Sequence, residues 1–379
     1  MEFFLTTTEP DDRPVYITGN FNKWNPKNAN FQLKEIDEGK YYINIEDELL
    51  PELIEFKFTK GGWENVELDQ YGNITSNRKA KKSNKKSIDI VEKWRLNWGP
   101  FKKEFFPIVE LVDDEFFIPQ LDKTRKVWAL LPHNYYKTNK KYPILYLQDA
   151  QNLFNEASVF GNWEIDKKLS ILAEYGRGEL IVIAVEHGDE DRIKEYVFEN
   201  PKLTENAEGK KYIRFITDTL KPFIDSKYRT KKDRENTGIG GSSLGALISI
   251  YGGFLYPEVY SKLMLFSPSL WVEPENNFQM VSFQHTFKTK VYLYGGKKEG
   301  SQMVKRIKLF ENAMKNWESK GLFEFEFRES INEEGQHQEF FWSQEFPKAV
   351  EWLYYDSKED PLEIIKQAKK VEESDKNKS

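Results

Sequence analysis

Two hydrophobic rhythms divide the chain. Up to about residue 91 the apolar positions come in short runs separated by turn signals, without helical spacing. Residues 15–19, 31–36, 40–45, 54–59 and 86–91 each read as a strand. Residues 20–26 between the first two form a turn-rich loop, and Gly61-Gly62 breaks the chain before Trp63. Strands at this spacing predict a small all-β sandwich over residues 1–98. Residues 94–100 interrupt the pattern and mark a boundary. After it come strands near 109–118 and 125–131, then apolar runs at 142–147, 180–185, 263–266 and 290–294. Continuous apolar runs bounded by turns are what buried central strands look like. Helical spacing over 212–223 and 303–317 and a last strand at 323–327 complete an alternation of strand and helix. This predicts an α/β fold: a three-layer domain with a mainly parallel sheet over residues 99–356. Residues 357–379 read as a charged tail, with a short helix near 362–368.

Composition narrows the partners. A net charge of −6 offers no electrostatic attraction for nucleic acid or an anionic membrane. No apolar run approaches transmembrane length. The first ten residues lack the basic and apolar regions of a signal peptide, so a cytoplasmic location is the plain expectation, although a chain trimmed of its leader would look the same. The absence of cysteine excludes disulfides, thiol catalysis and cysteine metal sites, and no metal or cofactor is expected. The 28 Phe, 19 Tyr and 10 Trp make the chain aromatic-rich, and the surplus reads either as core or as surfaces that stack on rings or sugars.

The candidate chemistry centres on Gly241-Ser242-Ser243-Leu244-Gly245, a G-x-S-x-G between an expected strand and an expected helix. Glycines flank the serine because the turn is too tight for a Cβ there, and the helix behind it aims N–H groups at a developing anion. Ser243 is the candidate nucleophile; a Gly/Ser-rich turn with no chemistry is the competing reading. A serine that attacks an ester needs a base within reach and an acid to orient that base, in the order serine, acid, histidine. Of the four histidines, His337 follows the last strand and is the candidate base. His187 follows a sheet strand and is read as lining the pocket; His133 and His285 are read as structural. Glu299, after the 290–294 strand, is the candidate acid, against a solvated helix-start glutamate. Asp149 and Asp225 compete but precede the serine. The oxyanion hole is expected from the backbone N–H of Leu244 and that of Ala150 or Gln151.

Two resemblances add to this. V-Y-I-T-G-N-F-N-K-W-N with F-K-F-T-K-G-G-W-E, within residues 10–95, resembles starch- and glycogen-binding modules, including the glycogen-binding domain of AMP-activated kinase. That resemblance implies sugar stacking on Trp24 and Trp63, a sugar hydrogen bond from Lys57, a further polar contact near Asn77, and an α-glucan partner. The alternative is that both tryptophans complete a small core. Residues 78–86 read as a charged surface loop.

Y-P-I-L-Y-L-Q-D-A-Q-N-L-F, G-G-S-S-L-G-A-L-I-S-I-Y-G-G-F-L-Y-P-E-V-Y, L-F-S-P-S-L-W, Y-G-G-K-K-E and G-Q-H-Q-E-F-F-W-S-Q-E-F-P-K-A-V-E-W-L occur in order over residues 105–355. Together they resemble the esterase D and enterochelin-esterase-like group of α/β-hydrolases. The resemblance implies a Ser243, Glu299, His337 triad with Gln151, Asn152 and Trp271 bordering the substrate. The chain departs from the group in having Ala150 where glycine is common, and it uses Glu rather than Asp as the acid. The leading expectation is a serine carboxylesterase acting through an acyl-enzyme on an acyl-decorated carbohydrate. A siderophore trilactone esterase and a non-catalytic glycan-binding protein with a degenerate hydrolase domain are the alternatives.

Overall fold

The computed structural model describes residues 1–95, 99, 101–154, 161–273, 278 and 287–355. The expected tail helix, His285 and most of the boundary stretch lie outside the described residues. The chain forms two compact units, one over Met1–Lys103 and one beginning at Glu104.

The first unit is all-β. Its strands are β1 (Glu2–Thr7), β2 (Tyr16–Gly19), β3 (Lys34–Asp37), β4 (Lys40–Asn44), β5 (Leu53–Thr59), β6 (Glu67–Leu68), β7 (Arg78–Lys81), β8 (Lys86–Val91) and β9 (Lys93–Trp94). One sheet runs β3-β4-β1-β8 and another β2-β5-β7. Alternating inward residues meet between them, with Phe3 of β1 edge-on to Phe56 of β5 at 5.3 Å and Ile17, Ile54 and Phe58 fully buried alongside. Four strands went unread in the sequence, the two-residue β6 and β9 and the longer β1 and β7. Residues 2–7 form a central strand, pairing β4 on one side and β8 on the other. Part of the stretch read as a charged loop is strand β7, paired with β5. Its charge is not merely solvated: Arg78 donates to the buried Glu67 at 2.7 Å and to Asp89 at 3.0 Å. An ion pair can hide a strand, because a charged pattern reads as surface when its partner is not visible.

The second unit carries strands β10 (Ile108–Ile118), β11 (Lys123–Leu131), β12 (Ile144–Gln148), β13 (Ile181–Val185), β14 (Thr237–Ser242), β15 (Lys262–Phe266), β16 (Lys288–Gly296) and β17 (Glu324–Asn332). They form one eight-stranded sheet in the order β10-β11-β13-β12-β14-β15-β16-β17. The first two strands are an antiparallel hairpin, and all pairings from β13 to β17 are parallel. Helices α1 (Ile165–Glu174), α2 (Arg192–Tyr196), α3 (Gly209–Arg214), α4 (Lys221–Lys227), α5 (Leu244–Leu255), α6 (Met303–Ser319) and α7 (Glu339–Tyr354) supply the crossovers and cover the sheet. A π-helical turn at Phe215–Leu220 joins α3 to α4. This is an α/β-hydrolase fold. Among the described residues no helix is long and apolar enough to cross a membrane.

Helix α5 is apolar all round and buried over almost its whole length, as a helix must be when it lies between sheet and neighbouring helices. Phe254 near its end is 1% exposed and packs against Phe310 and Trp317 of α6 and against Phe323 beside β17. Phe254→Ala should therefore cost about 3–5 kcal/mol in urea unfolding, whereas Phe117→Ala on the outer strand should stay within about 0.5 kcal/mol. Equal losses for the two would show that α5 is not anchored by this cluster.

Candidate active site

The ends of six strands, β12 to β17, build the site, at the C-terminal edge where parallel sheets place their ligands. At the end of β14 the chain turns sharply, and Ser243 takes φ 55° and ψ −120°, outside the regions open to most residues. The turn closes because two glycines touch. A Cβ on Gly241 would lie 2.8 Å from the carbonyl carbon of Gly245, which no side chain tolerates. Space, not a positive φ, fixes glycine at these positions. The Ser243 N–H donates to Phe266 O at 3.0 Å, and the N–H groups of Leu247 and Ser269 reach its carbonyl at 3.1 Å. Its hydroxyl lies 3.2 Å from the hydroxyl of Ser269, a 3% exposed side chain from the loop after β15. Leu244 is the first residue of α5.

The loops after β16 and β17 bring Glu299 and His337 together. They approach backbone to backbone at Gly296 and Gly335: a Cβ on Gly296 would sit 2.2 Å from Gly335 O. Lys297 and Lys298 donate across the gap to Asn332 O and Gly335 O, both at 2.9 Å. His337 Nδ1 then lies 2.8 Å from Glu299 Oε2, and the Glu299 side chain is fully buried while His337 is 41% exposed. The other oxygen, Oε1, accepts from Ser267 Oγ at 2.7 Å and from Gly296 N–H at 2.6 Å. Ser267 Oγ itself accepts from Trp342 Nε1 at 2.9 Å. A carboxylate only accepts, so the proton of this pair belongs on Nδ1 and Nε2 keeps its lone pair. The Trp342 ring stands edge-on to the imidazole at 5.0 Å and limits its swing.

Ser243 and His337 line one cavity of about 940 Å³, with Asp149, Asn152, His187, Arg192 and Glu339 among the other walls. Asp149 is 4% exposed and has φ 63°; it starts the turn that holds Ala150, Gln151 and Asn152. Its two oxygens take Nε and Nη2 of Arg192 at 2.7 and 2.8 Å. That pairing holds Arg192 well above its ordinary range despite desolvation. Asp225 is likewise engaged, by Lys221 at 2.7 Å and Thr230 at 2.6 Å. Gln151 does not line the cavity; its amide exchanges two hydrogen bonds with the His187 backbone, at 3.0 and 3.2 Å. His187 Nδ1 accepts from Asp189 N–H at 3.0 Å, which leaves the proton on Nε2. Trp271 is 50% exposed and stands outside the cavity wall. Among the described residues no group of three His, Asp or Glu is placed to hold a metal ion.

In the first unit, the loops after β2 and β5 carry Trp24 and Trp63 side by side, ring centres 6.4 Å apart and planes tilted by 38°. Trp24 sits at φ 57° in a turn closed by its N–H to Gly19 O at 2.9 Å, and Trp63 is 42% exposed. Lys57 is buried. Its ammonium donates to Thr75 O, Thr75 Oγ1 and Ser76 O at 2.6, 3.0 and 3.4 Å, and burial pulls its pKa down. All three donors are thus spent on the loop that precedes the exposed Asn77.

Sequence reasoning passed over Ser267, Ser269, Trp342, Arg192 and Glu339. Single polar residues in loops carry no periodic signal, and only their position after a strand end or at a helix start could have drawn attention.

The fold and this constellation define an α/β-hydrolase with a serine elbow. Residues 118–353 match the Esterase family model, and the chain belongs to that family. Among curated proteins it is 26% identical over 243 residues to the uncharacterized protein YbbA of Bacillus subtilis, covering 61% of this chain and 92% of that one. It is also 40% identical over 95 residues to an amylopullulanase of Thermoanaerobacter thermohydrosulfuricus, which is 23% of this chain and 6% of the relative. Among solved structures, the enterobactin esterase of Shigella flexneri is similar in fold, with TM-score 0.50, 13% identity, and coverage of 93% of this chain and 92% of that one.

Ser267→Ala would strip the buried Trp342 N–H of its acceptor and Glu299 of one donor. The expected cost is about 1–3 kcal/mol in chemical denaturation. A variant as stable as the parent would show that this hydrogen-bond chain carries no weight in the fold.

Proposed function

We propose that the chain is a serine carboxylesterase working through an acyl-enzyme, with Ser243 as nucleophile, His337 as base and Glu299 as the acid that orients it. The observation that carries this is the 2.8 Å contact of His337 Nδ1 with buried Glu299, on a histidine that shares a cavity with the elbow serine. Ser243 Oγ attacks the carbonyl carbon while His337 Nε2 takes its proton; the alcohol leaves with that proton, and water repeats the sequence on the acyl-enzyme. The oxyanion forms beside the N–H of Leu244 and that of Ala150 or Gln151, which open the helix α5 and the turn after Asp149.

The substrate class we favour is an acyl-decorated carbohydrate, held near its polymer by the first unit. The paired Trp24 and Trp63 rings support this, and the likeness to part of an amylopullulanase points the same way. In this reading Lys57 works through the loop before Asn77 instead of touching sugar itself.

Wild-type protein should hydrolyse p-nitrophenyl acetate and react with a fluorophosphonate probe. Ser243→Ala and His337→Ala should each lower kcat by about 10³–10⁶, and Ser243→Ala should abolish labelling. A wild type that neither hydrolyses a short-chain ester nor labels sinks the esterase reading. In a glycogen pull-down, Trp24→Ala with Trp63→Ala should weaken retention about tenfold. Undiminished retention would remove the glucan site from this face.

A further inference from the structure

The charges on the cavity wall are unbalanced in one place. Three carboxyl side chains line it, Asp149, Glu164 and Glu339, and among the described residues Arg192 is the one lining side chain with a permanent positive charge. Arg192 is itself paired with a lining carboxylate, since Nε and Nη2 both donate to Asp149. Glu164 has its own cation in Lys167, at 2.5 Å. Glu339 has none. It is 8% exposed and forms no ion pair among the described residues; Asn152 Nδ2 reaches Oε1 at a long 3.5 Å, and the other donor beside the carboxylate is its own backbone N–H. Burial raises its pKa and the neighbouring Asp149 adds to this. Its own backbone N–H, His337 and Arg192 oppose the rise. A buried acceptor this poorly satisfied beside a reacting centre is costly unless something arrives to meet it.

We infer that Glu339 is the specificity-determining residue of this cavity, accepting hydroxyl groups of an uncharged substrate beside Asn152 and turning away esters that carry a negative charge. The inference rests on the esterase reading above and names the class of ester it takes. A carboxylate offers lone pairs on both oxygens, which the hydroxyl groups of a polyol can meet as donors. The same carboxylate, in a cavity where carboxyl groups outnumber the one arginine and that arginine is paired with Asp149, repels a second negative charge. Glu339 touches the substrate without taking part in bond making, so its effect should appear as a selectivity and not as a uniform loss.

The test compares two acetate esters that differ in one charge, 3-carbamoylphenyl acetate and 3-carboxyphenyl acetate, assayed at about pH 8, above the usual carboxylate range. Wild type should favour the carbamoyl ester by about tenfold or more in kcat/KM. Glu339→Gln should narrow that ratio about tenfold, through a rise on the carboxylate ester, and Glu339→Ala should narrow it in the same direction. Because the readout is a ratio within each variant, a partly folded preparation cannot imitate it. A wild type that hydrolyses both esters equally overturns the proposal while leaving the esterase reading intact, and so does a ratio unmoved in both variants. Hydrolysis of neither ester by wild type overturns the esterase reading, and the substrate class falls with it.

Discussion

The backbone of Ser243 is the constraint on which the second unit turns. A residue at φ 55° and ψ −120° costs on the order of 1–3 kcal/mol and persists only where its surroundings over-determine it. Here they do so through the neighbouring strand. Phe266, the last residue of β15, accepts from the Ser243 N–H, and Ser269, just beyond it, donates back to the Ser243 carbonyl. The β15 loop is held in turn by β16, since the N–H of Ser267 reaches Tyr294 O at 2.8 Å. The hydroxyl of Ser267 then fixes Glu299, and Glu299 fixes His337. Each loop is thus positioned by the next strand in the sheet, from β14 to β17. Register in one parallel ladder sets the relative places of serine, carboxyl and imidazole.

The carboxyl groups near the site show how burial is tolerated in different ways. Glu299 has lost its water entirely but receives three donors, from Ser267, Gly296 and the His337 ring. Asp149 is matched by a two-point arginine contact, which also holds the turn carrying Ala150 and Gln151. Away from the site, Glu195 is buried between Arg125 and Lys123 and ties the outer hairpin to helix α2. In all three the charge is compensated by groups whose positions the fold already dictates, so the carboxyls act as struts. Glu339 has no ion-pair partner among the described residues, which sets it apart from these three.

Much of this architecture was legible in the sequence, for a physical reason. Buried parallel strands must be apolar on both faces, so the runs around Ile144, Ile181, Leu263 and Val291 announced themselves. The elbow could be read because two backbone segments in contact leave glycine as the one residue that fits, and Gly241 and Gly245 meet that demand. Glu299 and His337 could be placed by their position after strands. What stayed hidden depends on distance in space. Strand β1 shows no clean alternation and sits too near the chain start to be bracketed by turns. Strand β7 is charged because its partners Glu67 and Asp89 come from other strands. Ser267 and Ser269 look like ordinary loop serines until the sheet brings Glu299 and Ser243 against them.

The first unit poses a different problem, since its candidate surface centres on an aromatic pair. Lys57, which resemblance alone would put against a sugar, has its ammonium enclosed by Thr75 and Ser76. If this face holds glucan, affinity must come from stacking, with Asn77 and its neighbours supplying direction. The geometry of the two tryptophans then bears on which glucan. Coplanar rings suit a flat ribbon of sugars, whose faces repeat in one plane. Rings tilted by 38° with centres 6.4 Å apart suit successive residues that turn relative to one another, as they do in a coiled α-linked chain. The loop that carries Trp24 takes left-handed backbone at Lys23 and Trp24. Both units thus hold a non-glycine residue at positive φ beside their candidate site, Trp24 in the first and Ser243 in the second.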